Sequence, residues 1–124
     1  MSTFKPIICI DFDGVLHSYT SGWQGADVAS DPPVPGAIEW LTDLIVANEV
    51  DPQIYSSRSR QDGGISCMKD WLIRHGMSPA LTAELAFPTQ KPAAFLTIDD
   101  RAICFKGTFP SAAEMKAFKP WNKQ

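Results

Sequence analysis

The sequence predicts an α/β domain, a Rossmann-like three-layer sandwich around a central, mostly parallel sheet. Three observations predict it. Short apolar runs alternate with segments whose apolar residues recur at helical spacing. The two clearest runs, Ile7-Ile8-Cys9-Ile10 and Ala94-Phe95-Leu96-Thr97-Ile98, lack polar alternation, the pattern of strands covered on both faces of a parallel sheet. Both runs stop at acidic residues, Asp11 and Asp13 after the first, Asp99 and Asp100 after the second.

The elements follow in order. Ile7-Ile8-Cys9-Ile10 is the first strand. Residues 15–35 are rich in Ser, Gly, Asp and Pro, carry His17, Tyr19 and Trp23, and have no clean period. A loop of that length in a small domain is functional or disordered, and its aromatics favour an ordered flap. Pro35-Gly36 opens a helix with Ile38, Leu41, Leu44 and Ile45 on one face, ending near Asn48. Gln53-Ile54-Tyr55-Ser56 is a second strand, with Pro52 tolerated at its start. After a polar loop, Ile65, Met68 and Leu72 mark a second helix closed by Arg74-His75-Gly76. Leu85-Ala86-Phe87 and Ile103-Cys104-Phe105 are candidate short strands on either side of the strand at 94–98. Ser111-Ala112-Ala113-Glu114 is a capping-box pattern that starts a terminal helix. With no repeat and no linker, the 124 residues are expected to form one domain without an inserted cap.

Composition narrows the function classes. Hydrophobic residues make up 44% and charged residues 20%, which supports a packed core and argues against a disordered chain. The net charge of −3 gives no general attraction to polyanions, and the basic residues are scattered. Cys9, Cys67 and Cys104 form no Cys-x-x-Cys pair, and three reduced, mostly buried thiols are expected. The N-terminus lacks the apolar stretch of a signal peptide, and no run approaches the roughly 20 apolar residues of a membrane helix. A cytoplasmic protein without membrane partners is the expectation. Trp40, Trp71 and Trp121 are expected to pack, and His75 to belong to a helix end.

In open α/β sheets, ligands bind beyond the carboxyl ends of the strands. Asp11 and Asp13 follow the first strand, Ser56 and Ser57 the second, and Asp99 and Asp100 the strand at 94–98; Lys91 precedes that last strand. Mg²⁺ takes hard oxygen ligands, and Asp11 and Asp99 can supply them. A carboxylate can attack phosphorus, with the cation and Lys91 offsetting the repulsion between anions. Asp13 can act as acid and base, and crowded carboxylates are expected to raise its proton affinity. Gly14 permits a sharp turn beside the phosphate.

The pattern resembles the haloacid dehalogenase-like (HAD) superfamily. Asp11-Phe12-Asp13-Gly14-Val15 matches its first motif, Ser56 the second, Lys91 the third and Asp99-Asp100 the fourth, in the family order. The resemblance implies a Mg²⁺-dependent phosphatase working through an aspartyl-phosphate. Asp11 would be nucleophile and metal ligand. Asp13 would be general acid/base, with its backbone carbonyl on the metal. Ser56, or Ser57 in its place, and Lys91 would hold the phosphoryl group. Asp99 and Asp100 would bind the metal, Asp100 directly or through water. The gap from Asp13 to Ser56 holds a flap and one helix, and that from Ser57 to Lys91 one helix and a short connection, too little for a cap domain. An open site of this kind suits a bulky phosphorylated substrate: a nucleotide, a nucleic-acid end or another metabolite.

His17, Tyr19 and Trp23 either pin the flap or stack on a substrate ring. Arg58, Arg60 and Arg101 are surface or ion-pair residues, with contact to a second phosphate the sharper alternative for Arg58 and Arg101. The competing function is a non-enzymatic phosphoacceptor or phosphate-binding module. The motif order argues against a response-regulator receiver, in which the acidic pair precedes the phosphoacceptor. A nucleotide-sugar transferase using Asp-x-Asp to hold a metal is the third class, and the chain leaves it little room for a donor pocket.

Overall fold

The computed structural model describes residues 4–124. Three strands form one open parallel sheet: β1 (Ile7–Ile10), β2 (Asp51–Ile54) and β3 (Leu96–Ile98), in the order β2-β1-β3. Four α-helices accompany them among the described residues: α1 (Ala37–Ala47), α2 (Gly64–Arg74), α3 (Pro79–Glu84) and α4 (Ala112–Lys116). Parallel pairing requires a crossover between strands. The flap and α1 connect β1 to β2, and α2 and α3 lie between β2 and β3.

Central β1 is the apolar run read from the sequence, and Ile8, Cys9 and Ile10 are buried. Its register pairs Ile8 with Pro52 on one side and with Leu96 on the other. Strand β2 begins and ends two residues earlier than expected, so Pro52 lies inside it rather than at its start. The register explains why proline is tolerated. Asp51 and Tyr55 donate their N–H groups to Pro6 O, just before β1, and to Ile10 O at its end, whereas Ile54 donates outward to Ala86 O. Pro52 shares the outward phase, so its missing donor costs no bond to β1.

Helix α1 buries Ala37, Ile38 and Leu41, and Leu44 and Ile45 pack against the same core, as the helical spacing requires. It stops where Asn48 takes a left-handed conformation and returns its N–H to Leu44 O. Helix α2 buries Met68, Trp71 and Leu72 completely. Gly64 opens α2 against the backbone of the preceding turn. A Cβ there would run into the carbonyl oxygen of Arg58.

Four expectations fail. The strand expected at 85–87 is only a single bridge from Gln53 to Ala86. Just before it lies α3, begun by Ser78 as cap and Pro79 in the first turn. Its single buried position, Thr82, gives no periodic apolar signal to read. The strand expected at 103–105 is irregular chain. The run at 94–98 yields only β3, an exposed edge in which Leu96 is 53% accessible. Its apolar sequence therefore does not mean burial on both faces. Cys104 is also exposed, unlike buried Cys9. No described helix is long and apolar enough to cross a membrane.

Gly64→Ala should destabilise the domain by about 1–3 kcal/mol, since the Arg58 carbonyl cannot retreat without disturbing its turn. Urea unfolding followed by circular dichroism measures this, and an unchanged midpoint would refute the close approach.

Candidate active site

The sheet order places a crevice between β1 and β3, because the chain leaves β1 toward β2 on one side and returns to β3 on the other. Asp11 follows β1 at that point, and its N–H donates to Ile98 O at 3.0 Å, extending the β1–β3 ladder. Asp99 and Asp100 follow β3. A cavity of about 140 Å³ opens there, lined by Asp11, Ser56, Ser57, Lys91 and Asp99, with Cys9, Tyr55 and Thr97. The five residues first named come from three separate stretches of the sequence. The cavity is well below the roughly 300 Å³ of sites that enclose a whole small molecule. It is sized for one chemical group.

Three carboxylates cluster at this end of the sheet. One oxygen each from Asp11, Asp99 and Asp100 lies within 4.8 Å of the others, a group that can hold a cation. Burial, above all, pushes the Asp11 carboxyl up to about 8, and the charge of Asp99 and a hydrogen bond with Asp100 add to the rise. Asp100 is raised as well, again chiefly by burial. A cation would relieve both effects by supplying opposite charge. Gly14 makes the crowding sterically feasible. It holds φ +86°, and a Cβ on it would collide with the Asp100 carboxylate.

Asp13 lies two residues from Asp11 in a contrasting environment. Arg58 forks onto it, Nε to Oδ2 at 2.9 Å and Nη2 to Oδ1 at 3.1 Å. His17 Nδ1 donates to Oδ1 at 2.8 Å. The proton sits on Nδ1 because Nε2 accepts the N–H of Asp31 at 3.1 Å. Burial opposes ionisation of Asp13, but the hydrogen bonds from His17 and Arg58 and the charge of Arg58 outweigh it and hold the carboxyl below its usual range. The expectation that crowding raises its proton affinity is overturned. Crowding acts on Asp11 and Asp100, and the Asp13 carboxylate is outside the cation cluster.

Arg58 corrects a second expectation. It is fully buried and cannot reach a second phosphate. Its Nη1 donates to the carbonyls of Gly25, Ala26 and Val28 at 3.0, 2.9 and 2.8 Å, fastening the flap. The Trp23 ring covers the guanidinium at 5.1 Å. His17 is also buried, stacked on Phe12 at 5.3 Å and edge-on to Trp71 at 5.5 Å, so it is a flap pin and no substrate contact. Tyr19, half-buried, faces His17 edge-on at 6.0 Å, and neither it nor Trp23 lines the cavity. The flap is held further by Trp71 Nε1 on Asp31 O and by Arg74 on Ala29 O, both at 2.9 Å.

Ser56 and Ser57 both line the cavity, so the structure does not choose one over the other. Ser56 Oγ already accepts the Arg58 N–H as the cap of a 3₁₀ turn over Ser57–Arg60. Exposed Ser57 carries no such duty. Arg60 donates to Thr89 O at 2.9 Å. Arg101 is exposed, with its backbone N–H on Asp99 Oδ1 at 2.9 Å and its Nε 3.9 Å from Asp100 Oδ2. Sequence reading missed Thr97 and Tyr55, and treated Cys9 only as a core thiol. Alternation along β1 and β3 puts Cys9 and Asp11 in one phase, with Thr97 paired to Cys9, which is the signal that finds them. Trp121 is no core residue either. It is 55% exposed and donates its indole N–H to Gly14 O at 2.8 Å.

Removing the clasp should be costly. Arg58→Ala leaves Asp13 buried without its cation and should destabilise the chain by about 3–5 kcal/mol, measured by denaturant titration. The raised acids predict a pH effect of opposite sense to ordinary acid denaturation. The native chain keeps a proton on Asp11 that the unfolded chain releases near its usual 3.8. The associated stability is present below that value and is lost as pH rises toward 8. The melting temperature of the metal-free protein should therefore fall between about pH 5 and pH 8. Asp11→Asn should flatten the slope, and Mg²⁺ should raise the melting temperature most at the alkaline end. A rising profile in the metal-free protein would contradict the arrangement. Comparison with protein-family models, curated proteins and solved structures gave no match to this chain.

Proposed function

We propose that the chain is a Mg²⁺-dependent phosphomonoester hydrolase that works through an aspartyl-phosphate on Asp11. In this reading it is a HAD-like protein with a Rossmann-like three-layer sandwich and no cap. The observation that carries the proposal is the small cavity in which Asp11, Ser56, Ser57, Lys91 and Asp99 meet. A carboxylate nucleophile, two hydroxyls, an ammonium group and a second carboxylate are what phosphoryl transfer to an acid needs.

Asp11, Asp99 and Asp100 would hold the cation, which when bound neutralises charge on the phosphoryl oxygens and favours the ionised form of Asp11. Lys91 supplies a further positive charge at the cavity wall. The Ser56 and Ser57 hydroxyls orient the remaining oxygens. An Asp11 oxygen attacks phosphorus while the ester P–O bond breaks, leaving the phosphoryl group on the carboxylate; the bonding pair goes to the departing oxygen, which takes its proton from solvent in the open site because Asp13 is held ionised. Water then attacks that phosphorus, freeing inorganic phosphate and restoring Asp11. Asp13 is held ionised, the state a general base needs in the second step, and taking the water's proton requires its carboxylate to loosen from Arg58.

A generic aryl phosphate tests the proposal. Phosphate release should require Mg²⁺, and Asp11→Asn should lower kcat by roughly 10³-fold or more with the circular dichroism spectrum unchanged. Undiminished turnover in Asp11→Asn would rule the mechanism out.

A further inference from the structure

Beyond Asp100 the chain runs through an arm, residues 101–124, whose two ends meet at the carboxylate cluster. At the near end, Arg101 caps the Asp99 carboxylate through its N–H and brings Nε to 3.9 Å from Asp100. At the far end, buried Pro120 precedes Trp121, whose indole N–H is bonded to Gly14 O at 2.8 Å. Gly14 is itself the residue packed against Asp100. An arm tied down at both ends to the same few residues must bow outward beside the site.

The bow encloses an open pocket of about 460 Å³ lined by Arg101, Ile103, Phe105, Met115 and Phe118. Its apolar side chains are poorly covered: Ile103, Phe105 and Met115 are 54%, 58% and 53% exposed. Arg101 contributes a cation at the end that adjoins the carboxylates. The volume is in the range of pockets that take a small organic ligand, roughly 300–1,000 Å³. Apolar walls with one cation at the side facing the cluster match an aromatic group joined to an anion.

Resting on the phosphatase reading, we propose that the arm selects the substrate, and that its pocket takes the aromatic leaving group of a phosphomonoester. The phosphoryl group would occupy the small cavity by Asp11, and the ring system would extend under Ile103 and Phe118. Arg101, between the two, would meet the ester's negative charge. The arm would thus provide the enclosing wall that the short gaps after Asp13 and Ser57 cannot.

Two esters and one inert analogue test this. 1-Naphthyl phosphate has the ring and glycerol 2-phosphate lacks it. Naphthalene-1-sulfonate has the ring and a charge and cannot be turned over. In Ile103→Asp and Phe118→Ala, the ratio of kcat/KM for the naphthyl ester to that for the glycerol ester should fall roughly 10-fold, chiefly through KM. Sulfonate affinity, read by chemical-shift titration, should fall alongside. Trp121→Phe, which keeps the ring and loses the N–H, should lower the ratio in the same direction. An unchanged ratio and unchanged sulfonate affinity in both pocket variants would overturn the proposal. So would a dimer that Ile103→Asp dissociates without altering the ratio, since the surface would then join two copies. Sulfonate binding that is lost in Ile103→Asp, with no ester hydrolysed, would retire the phosphatase reading and leave an aromatic-anion pocket.

Discussion

The guanidinium of Arg58 is the point on which the local structure turns. It is fully buried, and it answers that burial with two bonds to Asp13 and three to flap carbonyls. A buried charge without partners is among the costliest features a domain can carry. The chain therefore cannot place Arg58 without also placing the loop after β1, the turn after β2 and the flap. The loop and flap after β1 and the turn after β2, at least 30 residues apart in sequence where they are bonded, are fixed by one side chain. His17 completes the fastening from the other side, holding Asp13 with one ring nitrogen and the Asp31 backbone with the other.

This clasp gives two neighbouring acids opposite characters. Asp13 has cationic and N–H donors on both oxygens and stays ionised. Asp11 is half-buried beside Asp99 and Asp100, and that burial together with their proximity raises its carboxyl to about 8. Pairs of acids driven apart by their surroundings are a common sign of divided labour at a site. The division follows from the fold. Asp11 continues the β1–β3 ladder and so faces the acids that end β3, while Asp13 lies past the turn at Phe12 and faces the Arg58 turn.

Most of what could be read in the sequence belonged to periodic or strongly punctuated stretches. Central β1 and helices α1 and α2 were legible because burial on a fixed face leaves a repeating apolar pattern, as at Ile38, Leu41, Met68 and Leu72. The capping box at Ser111 and Glu114 was legible because it is a local hydrogen-bond pattern. Helix α3 was not, because a six-residue helix that buries only Thr82 has no period to show. Strand β3 was found and its burial misjudged, since an apolar run does not reveal whether a neighbour covers it. At the candidate site, Asp11, Ser56, Ser57 and Asp99 were legible from their places after apolar strands, whereas Cys9, Tyr55 and Thr97, which line the same cavity, were not. The roles of Arg58 and His17 were not, because their partners lie in the flap, up to 33 residues away, and nothing in the chain announces such pairings.

The exposed edge explains why so much depends on the arm. With three strands, the crevice between β1 and β3 has a well-packed wall on the β2 side, where α2, Trp71 and the flap lock together. On the β3 side there is only a short strand and chain that, after Ile98, buries no apolar residue but Pro120. An arm packed so lightly would drift from the sheet unless something anchored it. The Trp121–Gly14 bond and the Arg101–Asp99 bond are placed where anchoring matters most, on the glycine and the carboxylates that form the site. Rigidity is thus concentrated on the side that fixes the reacting groups. Adaptability falls on the side where, in the proposed reading, the bulk of a bound molecule would lie. That is the division a small open α/β scaffold needs if it is to hold one group firmly while admitting the rest of a larger ligand.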